Sequence, residues 1–464
     1  MTFNISNLDA FEGPKYKALA DAIEQAIQHG ELVPGEKLPT HRYLADQLNV
    51  TVGTVTRGYA EAERRQLLTS KVGSGTYVRD SNHSSLFYYS ETLESDQLNL
   101  TYSVALSGRQ PEILEQAMKQ IQSDHRLMTE LLDYHSVNGL QRHNQAFTQW
   151  LEYCGVENIR SDNMIITSGG QHGFFSSLMA LTQPGDTVIC EGLTYPGFIS
   201  AAHHLHLKLI GLEFDDHGLT PEALSLACQR YRPRVLYVAS RMANPIPVTM
   251  GIERLTALAR VCRQHDIWII DDDTQGGALG PTETPSFHTV LPERTILISS
   301  LSKVFGGGLR MGAIHAPDKL VSQIGSAVRA TNWMSSPILA ELASQLIMDG
   351  ALAAIRQEQY LKLERRHVLT REFLGGFNLT QNHGFNIWLE LPDHWRAATF
   401  MEALDTEGIR VKTAEVFAAG QYSAPQAVRF CIGGKINFDN LRLALEKMNA
   451  ILSQKPALFS DLTI

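Results

Sequence analysis

The sequence predicts a multidomain chain: an N-terminal helix-turn-helix unit, then a large α/β sheet domain, then a smaller α+β domain. Three observations predict it. In the first eighty residues apolar side chains recur at helical spacing, and two short helices flank a tight turn. A stretch without period follows. Beyond it, short and continuously apolar runs alternate with helical stretches, as expected for strands covered on both faces.

Tyr16, Leu19, Ala20, Ile23, Ala26 and Ile27 keep helical spacing, and Gly30 is placed to end that helix. Pro34-Gly35 reads as a turn. Thr40 can cap a short helix holding Leu44, Ala45 and Leu48, and Asn49-Val50 breaks the chain. Thr51 can then cap a second helix through Val55, Tyr59 and Ala62. Leu67–Ser70 and Thr76–Val78, joined by Gly73-Ser74-Gly75, read as a small hairpin whose glycines allow positive φ. A second helix of this kind enters the major groove with its first residues at the base edges. Thr51, Thr54 and Thr56 are short donors at that end, Arg57 can reach phosphate, and Arg42 and Lys71 add cations. A small helical docking domain has the same pattern. Residues 1–79 hold nine Lys/Arg and nine Asp/Glu, which does not by itself favour nucleic acid.

Asp80 to Asn99 has serines, acids, no proline and no cation, and it reads as a connector. Phe87, Tyr88 and Tyr89 are out of character for a free tether and are expected to dock on a domain surface. Strands are then expected at Met164–Thr167, Thr187–Cys190, Val235–Ala239, Trp268–Ile270, Thr295–Ser299 and Gly312–His315. Phe385–Leu391, Ile409–Val411 and Val428–Ile432 follow in the smaller domain.

With 464 residues, two or three domains are expected. No apolar run approaches the ~20 residues of a membrane helix, and the first residues lack the pattern of a signal peptide. Five scattered cysteines with no CxxC pair argue against a disulfide framework and a zinc site. A cytoplasmic protein with no membrane partner is expected. Net charge is −9, with the whole deficit beyond residue 79.

Ligand groups in an α/β sheet come from loops at the carboxyl ends of strands. The most informative such loop is Ser300-Leu301-Ser302-Lys303, with Gly306-Gly307-Gly308-Leu309-Arg310 behind it. A lysine there can condense with an aldehyde if its neighbours lower its pKa. Ser300, Ser302 and Arg310 suit a phosphate dianion. Lysine plus phosphate site is what pyridoxal phosphate requires; a surface lysine in a Ser/Gly loop looks similar. Ser168-Gly169-Gly170-Gln171 opens a helix whose N–H groups can hold a phosphate, or is an ordinary turn. Tyr195 could stack on a planar ring or fill a core. Asn244 could donate to a phenolate, although most Asn-Pro pairs are turns. Asp271-Asp272-Asp273 suggests a metal site or a partner for a protonated ring nitrogen, and no further ligand set supports the metal.

Two resemblances sharpen this. Pro34-Gly35-Glu36-Lys37-Leu38-Pro39-Thr40-His41-Arg42, Val50-Thr51-Val52-Gly53-Thr54-Val55 and Gly73-Ser74-Gly75-Thr76-Tyr77-Val78 resemble the winged helix-turn-helix of GntR-type transcription regulators. The resemblance implies DNA contacts at Arg42, Thr51, Thr54 and Thr56 and a wing glycine at Gly73 or Gly75. Val52 stands where many members carry Arg. The loops beyond residue 98 resemble the fold-type I aminotransferases. That resemblance implies Lys303 as the Schiff-base lysine, Asp272 as the acid at the pyridine nitrogen, Asn244 at the phenolate and Tyr195 as the stacking ring. It implies Gly170, Gln171, Ser300, Ser302 and Arg310 at the phosphate. It also implies that Tyr134 reaches the phosphate of the neighbouring subunit and that Arg429 grips a substrate carboxylate.

Together the two halves are similar to MocR-type bacterial regulators. The implied boundaries are 12–79 for the winged helix, 80–97 for the linker and 98–464 for the aminotransferase-like part. The implied partners are an operator with paired half-sites, a small amine or amino-acid effector and a second copy of the chain. A working aminotransferase with an accessory DNA-binding module is the alternative, and a pyridoxal-phosphate binder with neither activity a third. The family often has a tyrosine shortly after the paired acid; here Asp273, Thr274 and Gln275 stand there. A threonine is too short to replace it, so weak or absent transaminase turnover is expected.

Overall fold

The structure, a computed structural model, describes residues 8, 13–28, 31–33, 35–65, 67–71, 75–78, 98–281 and 283–454. Gly30, Pro34, Gly73, the connector at 80–97 with its three aromatics, and residues 455–464 lie outside them. Two compact units divide the chain, Met1–Leu93 and Glu94–Ile464.

In the first unit, α1 (Lys15–Gln28), α2 (His41–Leu48) and α3 (Val52–Arg64) precede the antiparallel pair β1 (Leu68–Lys71) and β2 (Gly75–Val78). Thr40 and Thr51 cap α2 and α3 through the backbone N–H of Tyr43 and Thr54, as their residue type dictates. Asn49 ends α2 at φ 51°, a conformation asparagine tolerates. The core is Leu19, Ile23, Leu44, Val55, Tyr59 and their neighbours. Gly58 lets α3 approach α1, because a Cβ there would stand 2.6 Å from Leu19 Cδ2.

The second unit starts with β3 (Leu98–Asn99), which pairs in parallel with Ile409–Arg410, so the end of the aperiodic stretch is strand. A seven-stranded sheet is built from β4 (Met164–Thr167), β5 (Thr187–Glu191), β6 (Lys208–Leu212), β7 (Val235–Val238), β8 (Trp268–Asp272), β9 (Thr295–Ser300) and β10 (Gly312–His315). Its order is β4-β10-β9-β8-β7-β5-β6. β7, β8 and β9 pair in parallel, as do β7, β5 and β6, while β10 is antiparallel to both its neighbours. The edge strand β6 was not expected: its Lys-Leu-Ile-Gly-Leu lacks the continuous apolar run of buried strands. The smaller part holds β11 (Leu379–Gln381), β12 (Asn386–Glu390), β13 (Ile409–Arg410), β14 (Lys412–Thr413) and β15 (Ala427–Cys431). Its antiparallel sheet has the order β11-β12-β15-β14. The expected strand Ile409–Val411 is in fact divided at Val411: β13 pairs with β3, and β14 with β15. No single helix among the described residues is long and apolar enough to cross a membrane. All five cysteines are buried and free.

Candidate functional site

β4, β5, β7, β8 and β9 run the same way, so their carboxyl ends open on one edge of the sheet, where a doubly wound fold places ligands. The Lys303 turn follows β9 directly. Ser300 caps it, its Oγ accepting from Ser302 N at 3.2 Å and lying 3.0 Å from Ser302 Oγ. The Lys303 ammonium donates to the carbonyl of Ser103. Desolvation pulls its pKa from 10.5 down to about 8; Cys431 and Asp272 oppose the fall, and Arg429 and Arg310 add to it. A desolvated amine near neutrality is the nucleophile that carbonyl chemistry needs.

The three consecutive acids diverge. Asp271 accepts from Ser240 N and Oγ and from Phe287 N. Burial, then Asp273, raises its pKa to about 6. Asp273 is bidentate to the buried Arg241 and accepts from Gly277 N. Asp272, 8% exposed, accepts from Tyr237 Oη at 2.6 Å and from Thr274 N at 3.1 Å. A metal would need them to converge. Two of them instead brace the loops after β7 and β8, and only Asp272 stays with Lys303. Sequence reasoning missed Tyr237. It reads as a strand-core tyrosine, and burial together with Asp272 raises its pKa.

Near Lys303 two glycines let the loops come close together. Gly169 has φ 86°, and a Cβ there would stand 2.8 Å from Arg310 Nη2. A Cβ on Gly170 would stand 2.7 Å from Thr274 Cγ2 and 3.5 Å from Ser300 Cβ. The absence of a side chain at Gly169 and Gly170 therefore lets Arg310, Thr274 and Ser300 approach the start of that helix. Arg310 donates to Ser168 O at 3.1 Å and is otherwise exposed. Tyr195 Oη donates to Gln171 Oε1 at 3.2 Å, so the stacking candidate and the phosphate loop are tied together. Thr274 packs its methyl toward Gly170.

On the other flank, Arg429 is 4% exposed and lies 5.0 Å over the Phe417 ring. It donates to Asn386 Oδ1 at 3.3 Å and to Thr101 O, and its Nε has no partner. Asn386 also reaches Asn244 Oδ1 at 3.3 Å and Gln275 Oε1 at 3.4 Å, linking two candidates that sequence reasoning treated apart. The signal for Asn386 was absent, since an asparagine in a strand carries no motif. Tyr134 is 81% exposed and leans on Trp333 at 5.7 Å; it does not join the Lys303 cluster of its own chain.

In the first unit Arg42, Thr51, Thr56 and Arg57 are exposed and Thr54 half-buried. Thr51 and Thr54 hydroxyls meet at 2.9 Å, and Thr56 gives its proton to Val52 O at 3.0 Å. The Thr56 proton is thus already engaged with the backbone, where a free donor was expected. His41, which lies 3.1 Å from the Thr56 hydroxyl, was not foreseen. Gly75 has φ 120°, and a Cβ would strike Lys37 Cε at 2.7 Å. Lys71 stands opposite it in the hairpin.

Residues 95–448 match the model for aminotransferase class I and II. The chain belongs to that family. Residues 15–78 match the gntR family of bacterial regulatory proteins. The chain is 27% identical over 454 residues to the Bacillus subtilis protein named uncharacterized HTH-type transcriptional regulator YdeF, covering 96% of each. It is 24% identical to the HTH-type transcriptional regulator TauR of Rhodobacter capsulatus, over 88% of this chain and 90% of that one. Among solved structures, an archaeal alanine:glyoxylate aminotransferase superposes with a TM-score of 0.71 at 20% identity. It covers 77% of this chain and 90% of its own. A Pyrococcus horikoshii kynurenine aminotransferase gives 0.71 and 20%, over 77% and 91%. At these identities the structures establish the fold alone.

Proposed function

We propose that this protein is a pyridoxal-phosphate-dependent transcription regulator whose aminotransferase-like unit senses an amine, an amino acid or pyridoxal phosphate itself. One observation carries the reading. A chain matching the gntR family at its start also holds a desolvated lysine amine near a glycine-opened helix start beside Arg310 and near a buried arginine with an unpaired Nε. The donor set fits the cofactor. Gly170, Gln171, Ser300, Ser302 and Arg310 would hold its phosphate, Asp272 its ring nitrogen, Asn244 its phenolate and Tyr195 its face. When bound, pyridoxal phosphate supplies an aldehyde for amines and a ring that accepts electrons.

The chain's own groups do the rest. Lys303 holds or releases a proton near pH 8 and so can yield its place to an incoming amine. Arg429 orients the effector's carboxylate through the edge it keeps free. Tyr237 and the Thr274 N–H hold the Asp272 carboxyl in place, each donating to one of its oxygens. Thr274 adds no phenol beside the site, which favours slow or absent turnover. In the first unit α3 would enter the major groove, with Arg42, Arg57 and Lys71 toward phosphates, Thr51, Thr54 and Thr56 toward bases, and Gly73 and Gly75 shaping the wing. A two-fold dimer suits paired half-sites; Tyr134 would then serve the other subunit. The domains are 12–79 and 98–464 with a linker at 80–97, in the cytoplasm.

The intact Lys303 and Arg429 keep a working aminotransferase as the second reading. The test is fluorescence anisotropy of the protein's own promoter fragment with the full-length chain, titrated with pyridoxal phosphate and amines. No retention at low salt defeats the regulator reading. Keto-acid release near the ~10 per second typical of enzymes defeats the sensor-only reading.

A further inference from the structure

The face of the small sheet that carries Arg429 holds a second cation. Lys412 in β14 and Arg429 in β15 are direct partners in an antiparallel pair, so their side chains leave the sheet on the same side. Cβ atoms in such a pair are ~5 Å apart. Trp388 in β12 is the partner of Arg429 on its other side. Lys412, Arg429 and Trp388 therefore form one row across three strands. Asn386 and Cys431 form the next row on the same face.

This row has donors and no anion. The charges that act on Lys412 are Arg429, which lowers its pKa after desolvation has done so, and the Cys431 thiol. No ion pair among the described residues includes Lys412 or Arg429. Arg429 Nε and Trp388 Nε1 are both buried without a partner. Like charges directly opposite in a ladder destabilise a sheet, and buried donors left unpaired cost more than their bonds would return. Lys303 adds a third basic group, felt by the same Cys431 thiol. Asp272 is a single carboxyl against these three groups, and it acts on Lys303 but not on Lys412. A ligand with one carboxylate satisfies Arg429 and leaves Lys412 uncompensated.

We infer that Lys412 and Arg429 form a two-cation seat, and that the effector is an amine bearing two acidic groups rather than one. This rests on the sensor reading above. Arg429 takes one carboxylate through its free edge, and Lys412 takes the second acidic group as a point charge. Lys412 is thus a specificity-determining residue at the edge of the site.

The test uses the full-length protein loaded with pyridoxal phosphate and follows its visible absorbance. L-glutamate and L-aspartate are titrated against their uncharged isosteres, L-glutamine and L-asparagine. The acidic members are expected to reach half-saturation at concentrations about 10- to 100-fold lower, the difference one charge-assisted contact makes. Lys412→Met should bring that ratio close to unity, and Lys412→Arg should keep it. A ratio is insensitive to general loss of protein. A second readout needs no ligand: relieving the like-charge pair should raise the melting temperature of Lys412→Met protein, and a fall would overturn the inference. If all four amino acids shift the spectrum at similar concentrations, the two-charge inference fails and the sensor reading stands. If none does, the two-charge inference fails as well.

Discussion

Asp273 and Asp272 are neighbours with opposite jobs, and Asp273→Asn separates them. Asp273 and Arg241 are 1% exposed or less. They meet through two hydrogen bonds, while Arg241 also donates to Cys154 O and Thr284 O. Asparagine keeps the shape but turns an NH₂ toward the guanidinium and leaves a buried charge uncompensated. Breaking such a pair costs about 3–5 kcal/mol. At ~2.1 cal/mol/K per residue, a unit of about 370 residues has an unfolding entropy near 0.8 kcal/mol/K, so the melting point should fall by roughly 4–6 °C. Intrinsic fluorescence is the assay, because all five tryptophans (Trp150, Trp268, Trp333, Trp388, Trp395) lie in the second unit and report on it alone. Asp272→Asn should shift the melt far less, since an amide oxygen still accepts from Tyr237 or Thr274, but it should weaken cofactor binding. An Asp273→Asn melt within 1 °C of the parent, or a larger loss in Asp272→Asn, would refute the division of roles. Arg241→Met/Asp273→Leu should recover part of the loss, because no lone charge remains.

Lys303→Ala should abolish covalent retention of pyridoxal phosphate, and borohydride reduction should fix the label to the Lys303 peptide; label on another lysine refutes the assignment. The rate at which apo-protein takes up the aldehyde should rise through pH of about 8, where the Lys303 amine loses its proton, and not through the ordinary 10.5. Gly169→Ala should weaken cofactor binding at least tenfold by equilibrium dialysis, since it meets both an unfavourable φ of 86° and the Arg310 guanidinium. DNA binding should fall with salt at a log–log slope of roughly −4 to −7 for four to eight phosphates per dimer. Arg42→Ala should weaken all sequences alike, while Thr54→Ala should also relax sequence choice, both read by competition anisotropy.

Much of the fold was legible because it rests on local chemistry. Thr40 and Thr51 cap their helices with their own hydroxyls, Asn49 accepts a left-handed turn, and the runs at Met164, Val235, Trp268 and Thr295 are apolar enough to be strands in any context. Lys303, Gly170 and Arg310 were legible as a group because loops that follow parallel strands share one edge of a sheet. Partnerships across the sheet were not. Tyr237 looks like any core tyrosine until β7 and β8 pair and set its hydroxyl on Asp272. Asn386 gains meaning only where it touches Asn244, Gln275 and Arg429 at once. The three acids could have gathered on a metal, and only the positions of Ser240, Arg241 and Tyr237 send them apart. The sequence by itself thus determined the helices, the buried strands and which loops carry reactive groups, because those follow from caps, periodicity and residue type. The tertiary structure decided which donor meets which acceptor and which like charges stand opposed. Those depend on register between strands far apart in the chain, and a one-residue slip would turn every such side chain to the other face.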